Sequence, residues 1–187
     1  KNAILENANQ LFTEKLAVAG NPDGNVTMVE FFDYQCVHCK KMKPVVNQLI
    51  EENKNLRVIY KEFPIFGKSS EMASQAALAA AMQGKYKQMQ GALLGEEKRL
   101  DETIIMAAAK SVGLDIAQLK KDMDSKEVKG ALEENRKLAE NMNLMGTPAF
   151  VVAYTPEGKL NKDSDPAFIP GAASKEALES LIKQTSK

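Results

Sequence analysis

The sequence predicts an α/β fold interrupted by a helical block, on three observations. A β-branched and aromatic run, Val26-Thr27-Met28-Val29-Glu30-Phe31-Phe32, is followed by a helical apolar stripe and a second strand-like run from Leu56 to Phe63. Strand, helix and strand in that order make a βαβ unit with a parallel pair. From about Ser69 to Met145 the chain turns to Ala, Met, Leu, Glu and Lys with helical periodicity, and strand character returns only at Ala149 to Tyr154.

Taken in order, residues 2 to 12 place Ile4, Leu5, Ala8, Leu11 and Phe12 at helical spacing, without an obvious cap. This helix either packs on the domain or is the tail of a longer N-terminal helix. Gly20-Asn21-Pro22-Asp23-Gly24 reads as a turn. The near-continuous apolarity of 26–32 suggests a central strand covered on both faces, with Glu30 the exception. Met42, Val45, Val46, Leu49 and Ile50 form the stripe of a helix facing a sheet, with a kink expected at Pro44. In the helical block, Asp101, Asp115 and Ser125 are candidate N-caps, and Gly84, Gly95 and Gly113 candidate ends. The polar stretch Thr155 to Ala167 and the apolar return at Phe168 to Pro170 make a hairpin with Ala149 to Tyr154. Ser174 caps a last helix with Ala177, Leu178, Leu181 and Ile182 on one face. The expected organisation is a leader at 1–19, a core domain from 20–68 and 146–187, and an inserted helical domain at 69–145.

A chain of 187 residues can bury a core without cross-links. Basic and acidic residues both number 25 and are interspersed, which argues against nucleic acid as a partner. No apolar run approaches the roughly 18 residues of a membrane span, and no signal-peptide core opens the chain, so the sequence reads as soluble. It begins at Lys1 instead of Met, which suggests a processed product.

Cys36-Val37-His38-Cys39 contains the only two cysteines and the only histidine. A pair this close closes too small a loop to stabilise much, so reactivity is the better reading. After a strand and at a helix start, Cys36 meets unpaired N–H groups and the positive end of the dipole, which favour a thiolate. Cys36 is the candidate nucleophile with the exposed sulfur, and Cys39, one turn further, the resolving thiol. His38 is placed to donate a hydrogen bond or positive charge to the Cys36 sulfur. The chemistry this points to is thiol-disulfide exchange, with no cofactor. A zinc site would lack ligands, but a soft cation such as copper(I) held by Cys36, Cys39 and His38 is the alternative.

Thr147-Pro148, between Gly146 and the strand at Ala149, is the second constellation. A cis bond there would set the Thr147 backbone beside Cys36 to pair with an extended substrate, although most such bonds are trans. Most of the nine methionines read as core filler, Met145 being the one placed to touch a substrate.

Phe31-Phe32-Asp33-Tyr34-Gln35-Cys36-Val37-His38-Cys39, Lys61-Glu62-Phe63-Pro64-Ile65-Phe66-Gly67, Gly146-Thr147-Pro148-Ala149-Phe150 and Ile169-Pro170-Gly171-Ala172 together resemble the DsbA-like branch of the thioredoxin superfamily, from Gly20 to the C-terminus. The resemblance implies a thioredoxin fold, a central mixed sheet flanked by helices, with an inserted helical domain. It also implies that Pro148 is cis and faces the cysteines, and that Glu30 and Lys61 match a buried acid and a lysine beneath the site. A Glu30–Lys61 pair would lower the cost of burying the acid and relay the proton of Cys39. Asp33 and Glu62 are expected to be surface charges.

The resemblance further implies an exported oxidoreductase of the bacterial periplasm or cell envelope, acting on unfolded or partly folded cysteine-containing proteins and reset by a membrane or soluble redox partner. His38 leans toward an oxidase. Thr147 leans toward isomerases and reductases of the superfamily, which are commonly dimers joined by an N-terminal segment. The expected role is therefore dual: disulfide donation, with isomerase activity if such a segment makes a homodimer. A small-molecule transferase on the same fold is disfavoured by the intact cysteine pair.

Overall fold

The computed structural model describes residues 2–185. Five strands form one mixed sheet in the order β1-β3-β2-β4-β5. The central β2 (Val26–Phe32) runs parallel to β3 (Leu56–Glu62) and antiparallel to β4 (Ala149–Tyr154). On one side β5 (Ala167–Pro170) extends the hairpin from β4, and on the other β1 (Val18–Gly20) closes the edge against β3. Every residue of β2 and β3 is buried, as a strand covered on both faces requires.

The period of two along β2 divides the core. Val26, Met28 and Phe32 join Val58, Tyr60, Phe150 and Val152 on one face. Val29 and Phe31 join Ile59, Ala149 and Val151 on the other. The first face is covered by α3 (Val37–Glu52), α9 (Lys175–Thr185) and most of the inserted helices; the second by α1 (Asn2–Glu6), α2 (Ala8–Phe12) and α8 (Lys126–Asn141). α3 runs as one helix through Pro44, which leaves the Lys40 carbonyl without its usual i+4 donor.

The insertion between β3 and β4 consists of α4 (Lys68–Met82), α5 (Tyr86–Leu94), α6 (Glu102–Ser111), α7 (Ile116–Met123) and α8. Asp101, Asp115 and Ser125 each accept from the N–H three residues on, at 2.8, 3.0 and 3.3 Å. Gly84 and Gly113 take φ of +74° and +80° in the turns after α4 and α6, and Gly95 ends α5. The Ser174 hydroxyl accepts from Ala177 N at the start of α9.

The N-terminal segment packs on the domain. The expected helix over 2–12 is two short ones broken at Asn7, whose side chain donates to the Ala3 carbonyl. Ile4, Leu11 and Phe12 are buried. Arg57 Nη2 donates to the Phe12 carbonyl at 3.1 Å and Lys61 Nζ to the Gln10 carbonyl at 2.9 Å, so two cations of β3 hold the C-terminal end of α2. Val18–Gly20, inside the expected leader, is an edge strand, and a Cβ on Gly20 would lie 2.5 Å from the Leu56 carbonyl oxygen. Lys1, Ser186 and Lys187, at the ends of the expected segments, lie outside the described residues.

Candidate active site

β2 ends at Phe32 and α3 begins at Val37, so Cys36 is the N-cap of α3, in extended conformation. Its Sγ accepts from the Cys39 backbone N–H at 3.3 Å. Both cysteines are free. The hydrogen bond from the Cys39 thiol, with Thr147 and the N–H groups of Cys39 and His38, holds the Cys36 thiol down to about 6 against the opposing effect of burial. The same shared hydrogen bond, together with burial, pushes the Cys39 thiol far above its ordinary range. The pair is thus split into one sulfur ready to ionise and one that keeps its proton.

Two expectations about this tetrapeptide need correction. Cys36 is not open to solvent: it keeps 5% of its surface, against 1% for Cys39. His38 acts on Cys36 through its backbone N–H. Its imidazole is exposed, and no hydrogen bond from it to the Cys36 sulfur is seen among the described residues.

The loop before Cys36 is organised by Asp33, which is fully buried and not a surface charge. Its carboxylate accepts from the N–H groups of Gln35, Ile65 and Phe66 and from the Ser70 hydroxyl, at 2.7 to 3.1 Å. Its carbonyl accepts from Cys36 N at 3.2 Å. One side chain therefore ties the cysteine turn to the loop after β3 and to α4.

The Thr147–Pro148 peptide bond is cis. The Thr147 carbonyl lies 3.5 Å from Cys36 Sγ, which donates to it as a thiol. Among the described residues the Thr147 hydroxyl is buried without a hydrogen-bond partner. Val37, next to Cys36 in the chain, Ile65 and Phe66, whose backbones are held by Asp33, and Met145, two residues before Thr147, are exposed, Met145 almost completely at 98%.

Glu30 lies where its strand position predicts, buried at 4% on the face of the sheet that α3 covers. Lys61 does not pair with it. In the β2–β3 register Glu30 stands opposite Tyr60, and Lys61 opposite Phe31. The two side chains leave opposite faces, and Lys61 turns to α2. The cation facing Glu30 is Lys43 of α3, which follows Cys36 and Cys39 at i+7 and i+4 on one side of the helix. Burial pushes the Glu30 carboxyl up to about 8, Lys43 pulls it down, and Cys36 pushes it up. The spacing of Cys36, Cys39 and Lys43 is a sequence signal that would have found this lysine.

Glu62 is also fully buried, which overturns its reading as a surface charge. Its Oε2 accepts from the hydroxyls of Tyr34 at 2.7 Å and Tyr86 at 2.5 Å, while among the described residues Oε1 makes no hydrogen bond of good geometry. Burial outweighs those bonds and pushes it up to about 8. Among the described residues no three His, Cys, Asp or Glu side chains converge as metal ligands. No helix among them is long and apolar enough to cross a membrane.

Residues 27–183 match the family of DSBA-like thioredoxin domains. The chain belongs to this family. A thioredoxin-like oxidoreductase from Silicibacter pomeroyi superposes with a TM-score of 0.84 at 38% identity, covering 94% of this chain and 95% of that one. The catalytic domain of Proteus mirabilis ScsC superposes with a TM-score of 0.84 at 26% identity, covering 100% and 98%. The chain is also 27% identical over 137 residues to the Na(+)/H(+) antiporter NhaA 3 of Salinispora tropica, covering 72% of this chain and 21% of the antiporter. It spans about a fifth of the length of the curated relatives that it first matches. Thiol-disulfide oxidoreduction is the chemistry of the DsbA-like family, whose fold is the five-stranded sheet with helical insertion described above.

Proposed function

We propose that Cys36 and Cys39 exchange disulfides with exported polypeptides in the bacterial periplasm or cell envelope, without a cofactor. The observation that carries this reading is the split within the pair: an N-cap sulfur favoured as thiolate beside a second thiol that keeps its proton. In the reducing direction the Cys36 thiolate forms a bond to one sulfur of a substrate disulfide, and the other sulfur leaves as thiolate. Cys39 then loses its proton and bonds to Cys36 sulfur, and the second substrate thiolate departs with the electron pair of the broken bond. Run backwards, the same steps donate a disulfide. Glu30, buried below the pair with an affinity for protons near neutrality, is the proposed acceptor of the Cys39 proton.

Unfolded or partly folded proteins suit the exposed apolar side chains of Val37, Ile65, Phe66 and Met145, which lie on the segments that carry Cys36, the Asp33-bound loop and Thr147. The Thr147 backbone beside Cys36 is the proposed rest for an extended substrate segment. A thiolate stabilised in the reduced protein makes the disulfide a stronger oxidant, so donation is the favoured direction, with a membrane or soluble partner resetting the pair. Isomerase activity is added if an N-terminal segment, of which residues 2–12 are the stump or core, joins two copies. Deleting to Gly20 would not isolate that question, because it removes the core residues Ile4, Leu11 and Phe12 along with β1.

The test is turnover of a reduced substrate and of a scrambled one, with sedimentation of the same samples to give the oligomeric state. Cys36→Ser abolishes both activities under this reading. Retained activity in that variant would overturn it.

A further inference from the structure

The cation that faces Glu30 comes from α3, and α3 is joined there to the helical insertion. Lys43 Nζ donates to Gln90 Oε1 of α5 at 2.6 Å and lies 5.1 Å from the centre of the Tyr60 ring. Tyr60 is the register partner of Glu30 on β3. Lys43, Tyr60 and Glu30 thus form a continuous row on the face under the cysteines.

Gln90 is fully buried; its Oε1 accepts from Lys43, while its amide nitrogen has no hydrogen-bond partner among the described residues. The Tyr60 hydroxyl beside this row also lacks a hydrogen-bond partner of good geometry among the described residues, and the Gln90 side chain opposes the effect of burial on it. Burying an amide with half its capacity unused costs free energy, so the packing of α5 alone gives no reason for a glutamine here. Holding Lys43 does give one. An ammonium on a four-carbon stem would otherwise extend to water, since burial disfavours its charge while Glu30 favours it.

We propose that Lys43, anchored by Gln90, is the positioning residue that sets how readily Glu30 takes up and returns a proton, so that the helical insertion acts on the active site through this hydrogen bond. The proposal rests on the reading of Glu30 as acceptor of the Cys39 proton. Lys61, on the far face of the sheet, has no part in it. The charged and titratable groups around the row are Cys36 and Lys43 of α3, Tyr60 of β3 and Lys87 of α5. Lys87 opposes the charge on Lys43.

The test follows the second step alone in the full chain: release of substrate thiol from the Cys36 mixed disulfide, in single turnover, across pH. The expected profile has an inflection near 8 set by Glu30. Lys43→Met removes the attracting cation and moves the inflection up by about one pH unit or more. Lys43→Arg keeps it in place, and Lys61→Met leaves it unmoved. An unshifted inflection in Lys43→Met, or an equal shift in Lys61→Met, overturns the proposal. Glu30→Gln tells the two levels apart. If it removes the inflection while Lys43→Met fails to move it, the role of Lys43 alone is lost; if it leaves the inflection, the reading of Glu30 falls with it.

Discussion

The backbone N–H of Cys39 donates to Cys36 Sγ across 3.3 Å, so the proposed nucleophile caps the helix that activates it. The sulfur takes the place that a serine or aspartate oxygen occupies at other helix starts, and the N–H groups that an ordinary cap would satisfy here stabilise a thiolate. The resolving cysteine is thereby fixed one turn away, on the helix side of the nucleophile.

This geometry assigns different fates to the two cysteines. Cys39→Ser is expected to leave Cys36 able to attack but unable to be released, so a covalent adduct with substrate accumulates on non-reducing gels. Cys36→Ser forms no such adduct, because the remaining thiol is buried and protonated.

The Thr147 side chain helps hold the Cys36 thiol down, and its buried hydroxyl has no hydrogen-bond partner among the described residues that would compete for it. Thr147→Val removes this donor while keeping the shape. The expected result is a higher Cys36 thiol pKa and a less oxidising disulfide, by about 30 mV for each pKa unit, measured against glutathione. A potential unchanged in the valine variant would show that the hydroxyl does not face the thiolate.

Asp33 accepts three backbone N–H groups and a hydroxyl in a site closed to water. Asp33→Ala orphans buried donors and is expected to cost about 3 kcal/mol or more in urea unfolding. Because the same bonds fix the Cys36 turn, the variant should also turn over more slowly at temperatures where it remains folded.

Glu62 and Glu30 make stability depend on pH. Both bind their proton more tightly folded, with affinities raised to about 8 from an ordinary 4.5, chiefly by burial. The unfolded chain therefore releases these protons first as pH rises. Their contribution is fully present below about 4.5 and is lost as pH climbs through 8, by on the order of a few kcal/mol per group. Urea midpoints should fall from pH 5 to pH 8, and Glu62→Gln should flatten that slope. A steeper slope in the glutamine variant would contradict the assignment.

How much of this was legible in the sequence depends on how local the signal is. The caps at Asp101, Asp115 and Ser125 and the strand Val26–Phe32 were readable, because side-chain chemistry and periodicity act within a few residues. β1 was not, since three residues are too few to show a pattern. The resemblance points to Lys61 as the partner of Glu30, but one step of register decides which face a strand residue uses, and it sends Lys61 to the other face. Asp33 and Glu62 looked like surface charges because their partners, Ile65, Phe66, Ser70, Tyr34 and Tyr86, are supplied by tertiary packing.

The central claim is that Cys36 is a stabilised thiolate and Cys39 is not. The most direct measurement is the pH dependence of alkylation of the reduced protein, with the modified residue identified by mass spectrometry and Cys39→Ser as control. The account predicts that Cys36 reacts with a midpoint of about 6, in advance of any reaction at Cys39. A midpoint at the ordinary thiol value near 9, or first reaction at Cys39, would contradict it.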